Sequence, residues 1–157
     1  MKNVSPKLPL TAEERKSLRA FRIKLKDLAC MEAKQIADVL SASAERANYL
    51  RALAQFQSIP SIGPKMAEAM VALGYLSLEE VRGEDGADLL NRYEQLVGYQ
   101  VDPCVEDCFR CIVHHAGNPQ SRKSWFDFTE ERKSYRSRYG YPANRPAAVW
   151  HQAERKT

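Results

Sequence analysis

The chain has 157 residues, of which 44% are apolar, and its formal net charge is +4. This length suits one domain with a modest hydrophobic core. The first residues lack the apolar run of a signal peptide, and no run of about eighteen apolar residues occurs, so we expect a cytoplasmic protein without membrane spans.

The charge is unevenly distributed along the chain. Residues 1–26 hold eight Lys/Arg and two Asp/Glu, residues 27–117 hold seven and fourteen, and residues 118–157 hold nine and four. The sequence therefore predicts an acidic body between two basic arms. Neutralisation of phosphates supplies most non-specific affinity for nucleic acid, so any such affinity is expected to draw on the arms.

The N-terminal third predicts three helices. Thr11 and Glu14 have the spacing of a capping box, and the apolar residues after them recur at helical spacing, which predicts a helix over residues 12–26 with a cationic outer face. The apolar pattern from Leu28 predicts a second helix. Ser43 is the expected N-cap of a third, which continues to about Phe56.

The segment 56–81, FQSIPSIGPKMAEAMVALGYLSLEEV, predicts two helices joined by a tight turn. Pro60 ends the first helical run, Gly63 is the residue expected to turn left-handed, and Pro64 suits the first position of the next helix. Gly74 is expected to end that helix, and Ser77 to cap a further short helix at Val81. The first amides of a helix have no intrahelical acceptor and can bind a phosphate.

This pattern resembles the DNA-binding helix-hairpin-helix module, in which the hairpin reads Gly-apolar-Gly. Ser61 stands in place of the first glycine. The resemblance implies contacts between the DNA backbone and the hairpin residues, which are Ser61, Ile62, Gly63, Pro64, Lys65 and Met66. The alternative is that the hairpin only packs, as degenerate copies of the module do.

The C-terminal half continues the helical pattern. A helix is predicted up to Gly98, and another from Asp102 and Pro103 to about Ala116. No strand alternation occurs, so we expect an all-α fold, a compact bundle of short helices built around the helix-hairpin-helix, with basic N- and C-terminal extensions. The expected organisation is an N-terminal tail at 1–10, a helical domain at 11–117 containing the helix-hairpin-helix at 48–81, and a partly flexible basic, aromatic extension at 118–157.

The extension offers two interpretations. Trp125, Phe126 and Phe128 are expected to dock on the bundle, because such apolar side chains are rarely left in solvent. The residues after them form either a solvated tail or an auxiliary DNA contact by charge and base stacking. The candidates for that contact are Arg136, Arg138, Tyr139 and Arg145.

Several segments together carry a more specific resemblance. The hairpin, DLLNRYEQLVG, VDPCVEDCFRCIVHHA and KSWFDF, over about residues 48–128, resemble the bacterial pathogenicity-locus helix-hairpin-helix family, some of whose members are named mitomycin resistance proteins. The resemblance implies a small α-helical protein that binds DNA, with a link to DNA-damage resistance and no established reaction.

The cysteines suggest a metal site that the helical setting disfavours. Cys104, Cys108 and Cys111 have the spacing C-x3-C-x2-C, typical of an iron–sulfur site when it lies on a loop, and His114 and His115 could add ligands. On a helix the set spans about 16 Å, too far for one ion. We therefore predict no metal and no cofactor, with the cysteines packed in the core.

An enzymatic alternative rests on Lys65 and Asp102, whose order resembles that in helix-hairpin-helix DNA glycosylases. There a lysine attacks a sugar carbon and a carboxylate steers the charge. Lys65 as a phosphate contact and Asp102 as an N-cap are the simpler interpretations. We expect a non-catalytic protein that binds double-stranded DNA without sequence specificity; the alternatives are a protein-interaction adaptor with a degenerate hairpin and a glycosylase- or lyase-like repair enzyme.

Overall fold

A computed structural model of the chain describes residues 4–153, and within that range the protein is all-helical, as the sequence predicts. None of the helices described is long and apolar enough to cross a membrane. The chain divides into two compact units, Met1–Val81 and Arg82–Thr157, called unit 1 and unit 2 below. The boundary lies inside the region 11–117 that the sequence presents as one domain.

Unit 1 is organised around its longest helix. Its elements are α1 (Ala12–Ala20), a 3₁₀ segment (Leu25–Ala29), α2 (Ala33–Leu40), α3 (Ala44–Gln57), α4 (Pro64–Ala72) and a second 3₁₀ segment (Glu79–Val81). α3 packs against α2, α4 and the first 3₁₀ segment. Because α3 has neighbours on several sides, small and large apolar residues are buried around it, including Ala52, Leu53 and Ala54.

The start of α1 is as predicted and its end is not. The Thr11 hydroxyl accepts from Glu14 N at 3.1 Å, and Glu14 Oε2 accepts from Thr11 N at 2.9 Å. The helix ends at Ala20, since Arg22 has a φ of +56° and Ile23 N donates to Leu18 O. The predicted helix over 12–26 is therefore wrong in its second half, because an arginine, which gives no sequence signal for a reversal, makes the left-handed turn.

Unit 2 is built on two longer helices. Its described elements are α5 (Gly86–Val97), α6 (Cys104–Gly117), a 3₁₀ segment (Trp125–Phe128), α7 (Thr129–Tyr139) and α8 (Trp150–Ala153). α6 packs against α5 and against the 3₁₀ segment. A Cβ on Gly86 would lie 2.5 Å from Arg110 Cγ and 2.9 Å from Arg110 Cα, so the close approach of α5 and α6 requires glycine there.

The boundaries in unit 2 follow the predicted stop and start signals. Gly98 ends α5 with a φ of +81°, and Asp102 Oδ1 accepts from Cys104 N at 2.8 Å at the start of α6. Of the aromatic side chains expected to dock, Phe128 is buried, whereas Phe126 is 61% exposed.

Candidate nucleic-acid interface

The turn between α3 and α4, residues 58–63, is fixed by its own backbone and by apolar anchors. Ser58 N donates to Ala54 O at 3.1 Å, and Ile62 N donates to Ile59 O at 3.2 Å. The side chains of Ile59 and Ile62 are buried. Ile62 therefore holds the turn in place, and its amide is already committed to an internal bond.

The backbone conformations of Ser61 and Gly63, both in this turn, differ from the prediction. Ser61 has a φ of +66°, whereas Gly63 is extended, with φ −101° and ψ −175°. The assignment of the left-handed residue to Gly63 is therefore wrong. Ser61 occupies the place of the first glycine in the resembled pattern, and its positive φ explains why glycine suits that place.

The start of α4 is open. Gly63 is the N-cap and makes no side-chain cap, Pro64 follows at the first helical position as predicted, and Lys65 is exposed. A Cβ on Gly63 would meet nothing within 4 Å. Space is therefore free at Gly63, next to the first amides of α4, which lack intrahelical acceptors, and beside one exposed lysine, a suitable arrangement for an anion.

Unit 1 also carries a cationic surface that the DNA-contact residues predicted from the sequence do not include. Along α1 and the chain after it, exposed cations occur that form no ion pair within the described residues. They are Arg15, Lys16, Arg19, Arg22, Lys24 and Lys26. The cationic outer face predicted for α1 was the sequence signal for this surface.

In unit 2, by contrast, arginines are bound to buried carboxylates. Three acidic side chains are at most 1% exposed, and each contacts one or two guanidinium groups at N–O distances of 2.6–2.9 Å. The pairs are Glu94 with Arg145, Glu106 with Arg110 and Arg136, and Asp107 with Arg132.

This pairing includes two of the four predicted auxiliary contacts. Arg136 donates to Glu106 at 2.8 Å and also to the carbonyl oxygens of Gly140 and Ala87. Arg145 donates twice to Glu94, and this hydrogen bonding raises the pKa of Arg145. Both side chains therefore serve the interior of unit 2.

The other two predicted auxiliary residues lie on the surface. Arg138 and Tyr139 are exposed, and the guanidinium carbon of Arg138 lies 5.2 Å from the centre of the Tyr139 ring. They are the part of the predicted auxiliary contact that is accessible to a ligand.

The cysteines of α6 occupy graded environments. Cys111 is buried, Cys108 is intermediate and Cys104 is exposed, so the predicted packing in the core is wrong for Cys104, which lies in the first turn of α6. Burial raises the pKa of both Cys108 and Cys111 to about 12. Thiols with raised pKa values are poor nucleophiles. Within residues 4–153, no three His, Cys, Asp or Glu side chains are grouped so that they could hold a metal ion.

The two histidines after the cysteines bind inside unit 2. His114 Nε2 lies 2.9 Å from Ser121 Oγ, and His115 Nε2 lies 2.8 Å from Lys123 O. Burial lowers the pKa of His114, to which nearby Lys123 also contributes. Both rings thus support the loop after α6.

The two residues of the enzymatic alternative belong to different units. Lys65 lies at the start of α4 in unit 1, and Asp102 caps α6 in unit 2. Asp102 therefore has the structural role that its position before a helix predicts.

The fold and the open helix start define a small all-helical protein of two units with a candidate anion site. The model of the family described as Cdd1, pathogenicity locus, matches residues 50–134 of the chain. The protein belongs to this family, which confirms the sequence resemblance to the pathogenicity-locus family. The helix-hairpin-helix module and the link to mitomycin resistance stay predictions. No curated protein and no solved structure is significantly similar to it.

Proposed function

We propose that this protein binds double-stranded DNA through the phosphate backbone, without reading the base sequence, and that the α3–α4 turn makes the contact. The observation that carries the proposal is the uncapped start of α4 at Gly63, with open space before it and Lys65 exposed beside it. In this proposal the turn acts as the hairpin of a helix-hairpin-helix module.

The arrangement favours backbone contact over base reading. Amides at a helix start and one lysine bind phosphate oxygens, which carry no sequence information. Ile62 supplies the anchor that holds the turn, while Gly63, Lys65 and Met66 supply the amides. The exposed cations of α1, which belong to the same unit, add electrostatic attraction over a longer range.

The experiment measures binding of a short labelled DNA duplex at salt concentrations from about 50 to 200 mM. Lys65→Ala should remove one phosphate contact and lower the slope of log affinity against log salt by about 0.9. Gly63→Val places a side chain where the phosphate approaches and should weaken binding at least about fivefold, an effect of about 1 kcal/mol.

Matched controls separate the turn from general charge and from general glycine replacement. Lys34→Ala removes another exposed lysine of unit 1, and Gly117→Val fills another glycine site with open space and without a positive φ. Each control should change affinity less than its partner does. Equal effects of the test and control variants would contradict the proposal and favour the adaptor interpretation, in which the turn only packs.

A further inference from the structure

Unit 1 contains a cleft that the proposed turn contact does not use. It has a volume of about 330 Å³ and is lined by Ser5, Arg15, Leu18, Arg19, Ile23, Lys24 and Leu25. That volume lies at the lower end of the range for small-ligand sites, roughly 300–1,000 Å³. The lining contains three cations and no acid.

The walls of the cleft are fixed by internal hydrogen bonds. The turn at Arg22 brings the following chain back on α1, where Ile23 N donates to Leu18 O at 2.9 Å. The extended N-terminal segment is held by Lys7 N donating to Gln57 Oε1 and Gln57 Nε2 donating to Lys7 O, both at 2.9 Å. The cleft is therefore preformed.

The charges of the cleft have no internal partner. Among the described residues, Arg15, Arg19 and Lys24 form no ion pair. Glu14 of α1 is paired with Arg46, and Asp27 Oδ2 accepts from the backbone amide of Lys24 at 2.9 Å rather than forming an ion pair with its ammonium group. A larger cleft in unit 1, of about 450 Å³, contains both Arg51 and Glu79 and so lacks this excess of positive charge.

The apolar residues that line the cleft favour an anion that also carries an apolar group. Leu18, Ile23 and Leu25 give inorganic phosphate nothing to contact, but they suit the carbon face of a sugar or base. Phe21 is outside the lining but lies in the chain between Arg19 and Ile23, which both line the cleft, and its ring is 62% exposed and can stack on a base. A base inside an intact duplex is not available to such a cleft, whereas a base in a single strand is.

We infer that this cleft binds a nucleotide of single-stranded nucleic acid, with its phosphate on Arg15, Arg19 and Lys24 and its sugar or base against the apolar lining residues and Phe21. The inference goes beyond the proposed function, because the site is separate from the α3–α4 turn and binds a different form of nucleic acid.

The test uses the full-length protein and fluorescently labelled oligothymidylate. The double variant Arg15→Gln/Arg19→Gln should weaken binding at least about tenfold and lower the salt slope by up to about 0.7, the value for one phosphate of a single strand. Its control, Lys16→Gln/Lys34→Gln, removes the same charge from exposed residues outside the cleft and should weaken binding less than about threefold. Equal losses, or no binding by the wild type, would overturn the inference.

Two further measurements identify the chemical class of the ligand. An oligomer of the same length without bases should bind more weakly than oligothymidylate, and oligoglutamate should bind much more weakly than either. Phe21→Ala should weaken oligothymidylate binding about fivefold and leave the baseless oligomer unaffected. Equal affinity for all three polymers would mean that the cleft attracts any polyanion, and the nucleotide site would be rejected.

Failure of this inference is distinguishable from failure of the turn proposal. Lys65→Ala and Gly63→Val report on duplex binding, while the Arg15/Arg19 variant reports on single strands. All four positions lie outside the buried core, so circular dichroism of each variant should match the wild type.

Discussion

The two units use nearly equal numbers of cations in different ways. Each holds twelve Lys/Arg, against nine acids in unit 1 and eleven in unit 2. In unit 1 most of the cations along α1 face solvent without a partner, whereas unit 2 places arginines on carboxylates inside the fold. The number of positive charges in a region therefore says little about how many a polyanion can reach.

The ion pairs of unit 2 also explain why its acidic helices and its basic C-terminal segment occur together. The sequence contrast between an acidic body and a basic arm suggests an arm that reaches outward for phosphate. In the structure, arginines from residues 132–145 neutralise acids of α5 and α6. The two regions are complementary parts of one unit, and removal of the arm would leave buried carboxylates without partners.

The largest expected effect tests this contrast in unit 2. Arg136→Ala should destabilise the protein by about 1.5–3 kcal/mol, the range for a hydrogen bond to a charged group, because the buried carboxylate of Glu106 keeps Arg110 and loses Arg136. Urea unfolding followed by tryptophan fluorescence measures it, since both tryptophans, Trp125 and Trp150, lie in unit 2. The exposed Arg138→Ala control should cost less than about 0.5 kcal/mol. A small loss for Arg136→Ala would mean that unit 2 can release this arginine to a ligand.

The next effect concerns an ion pair of unit 1, Glu14 with Arg46 at 3.0 Å. Hydrogen bonding to Arg46 lowers the pKa of Glu14 below 4.5. A lowered carboxyl pKa adds stability above the unfolded value and loses it as pH falls through the folded value. Glu14→Gln should therefore cost about 1 kcal/mol near neutral pH and progressively less below about pH 4.5.

The measurement is urea unfolding by circular dichroism at neutral and acidic pH. Glutamine can still accept from Thr11 N, so the variant keeps the capping box and removes the charge. The control is Glu13→Gln, which removes the exposed carboxylate next to Glu14 in α1 and should cost less than about 0.5 kcal/mol at either pH. A cost that stays constant with pH would show that the ionised pair is not its source.

A smaller, stabilising effect is expected in the α3–α4 turn. Ser61→Gly should raise stability by up to about 1 kcal/mol, because glycine adopts the positive φ at position 61 without the steric cost that serine has. Thermal unfolding by circular dichroism measures the change. Ser58→Gly, at a neighbouring position with a φ of −72°, should instead destabilise. Destabilisation by Ser61→Gly would point to a necessary role of the serine hydroxyl.

The smallest expected effect is the contribution of unit 2 to the affinity for duplex DNA. Arg138→Ala should lower the salt slope by at most about 0.9, the value for one phosphate. Lys133→Ala, whose lysine binds Glu130 at 3.4 Å, is the matched control and should change the slope less. A larger fall for Arg138 than for Lys65 would move the main contact from unit 1 to unit 2.

The sequence alone determined the helical class, the family and most helix boundaries. Thr11 and Ser43 at helix starts, Pro64 at the first position of α4, and Gly98 at the end of α5 all act as predicted. These signals could be recognised in the sequence because a capping residue and the backbone groups that it binds lie within about four residues of each other.

Tertiary structure decided which turn residues are left-handed and where the charges go. Arg22 and Ser61 have positive φ values because buried neighbours such as Leu18 and Ile62 hold the chain around them. Arg145 finds Glu94 across 51 positions of sequence, a pairing that no local pattern contains. Local bonding could thus be predicted from the sequence, whereas the partner of a long side chain depended on packing between distant segments.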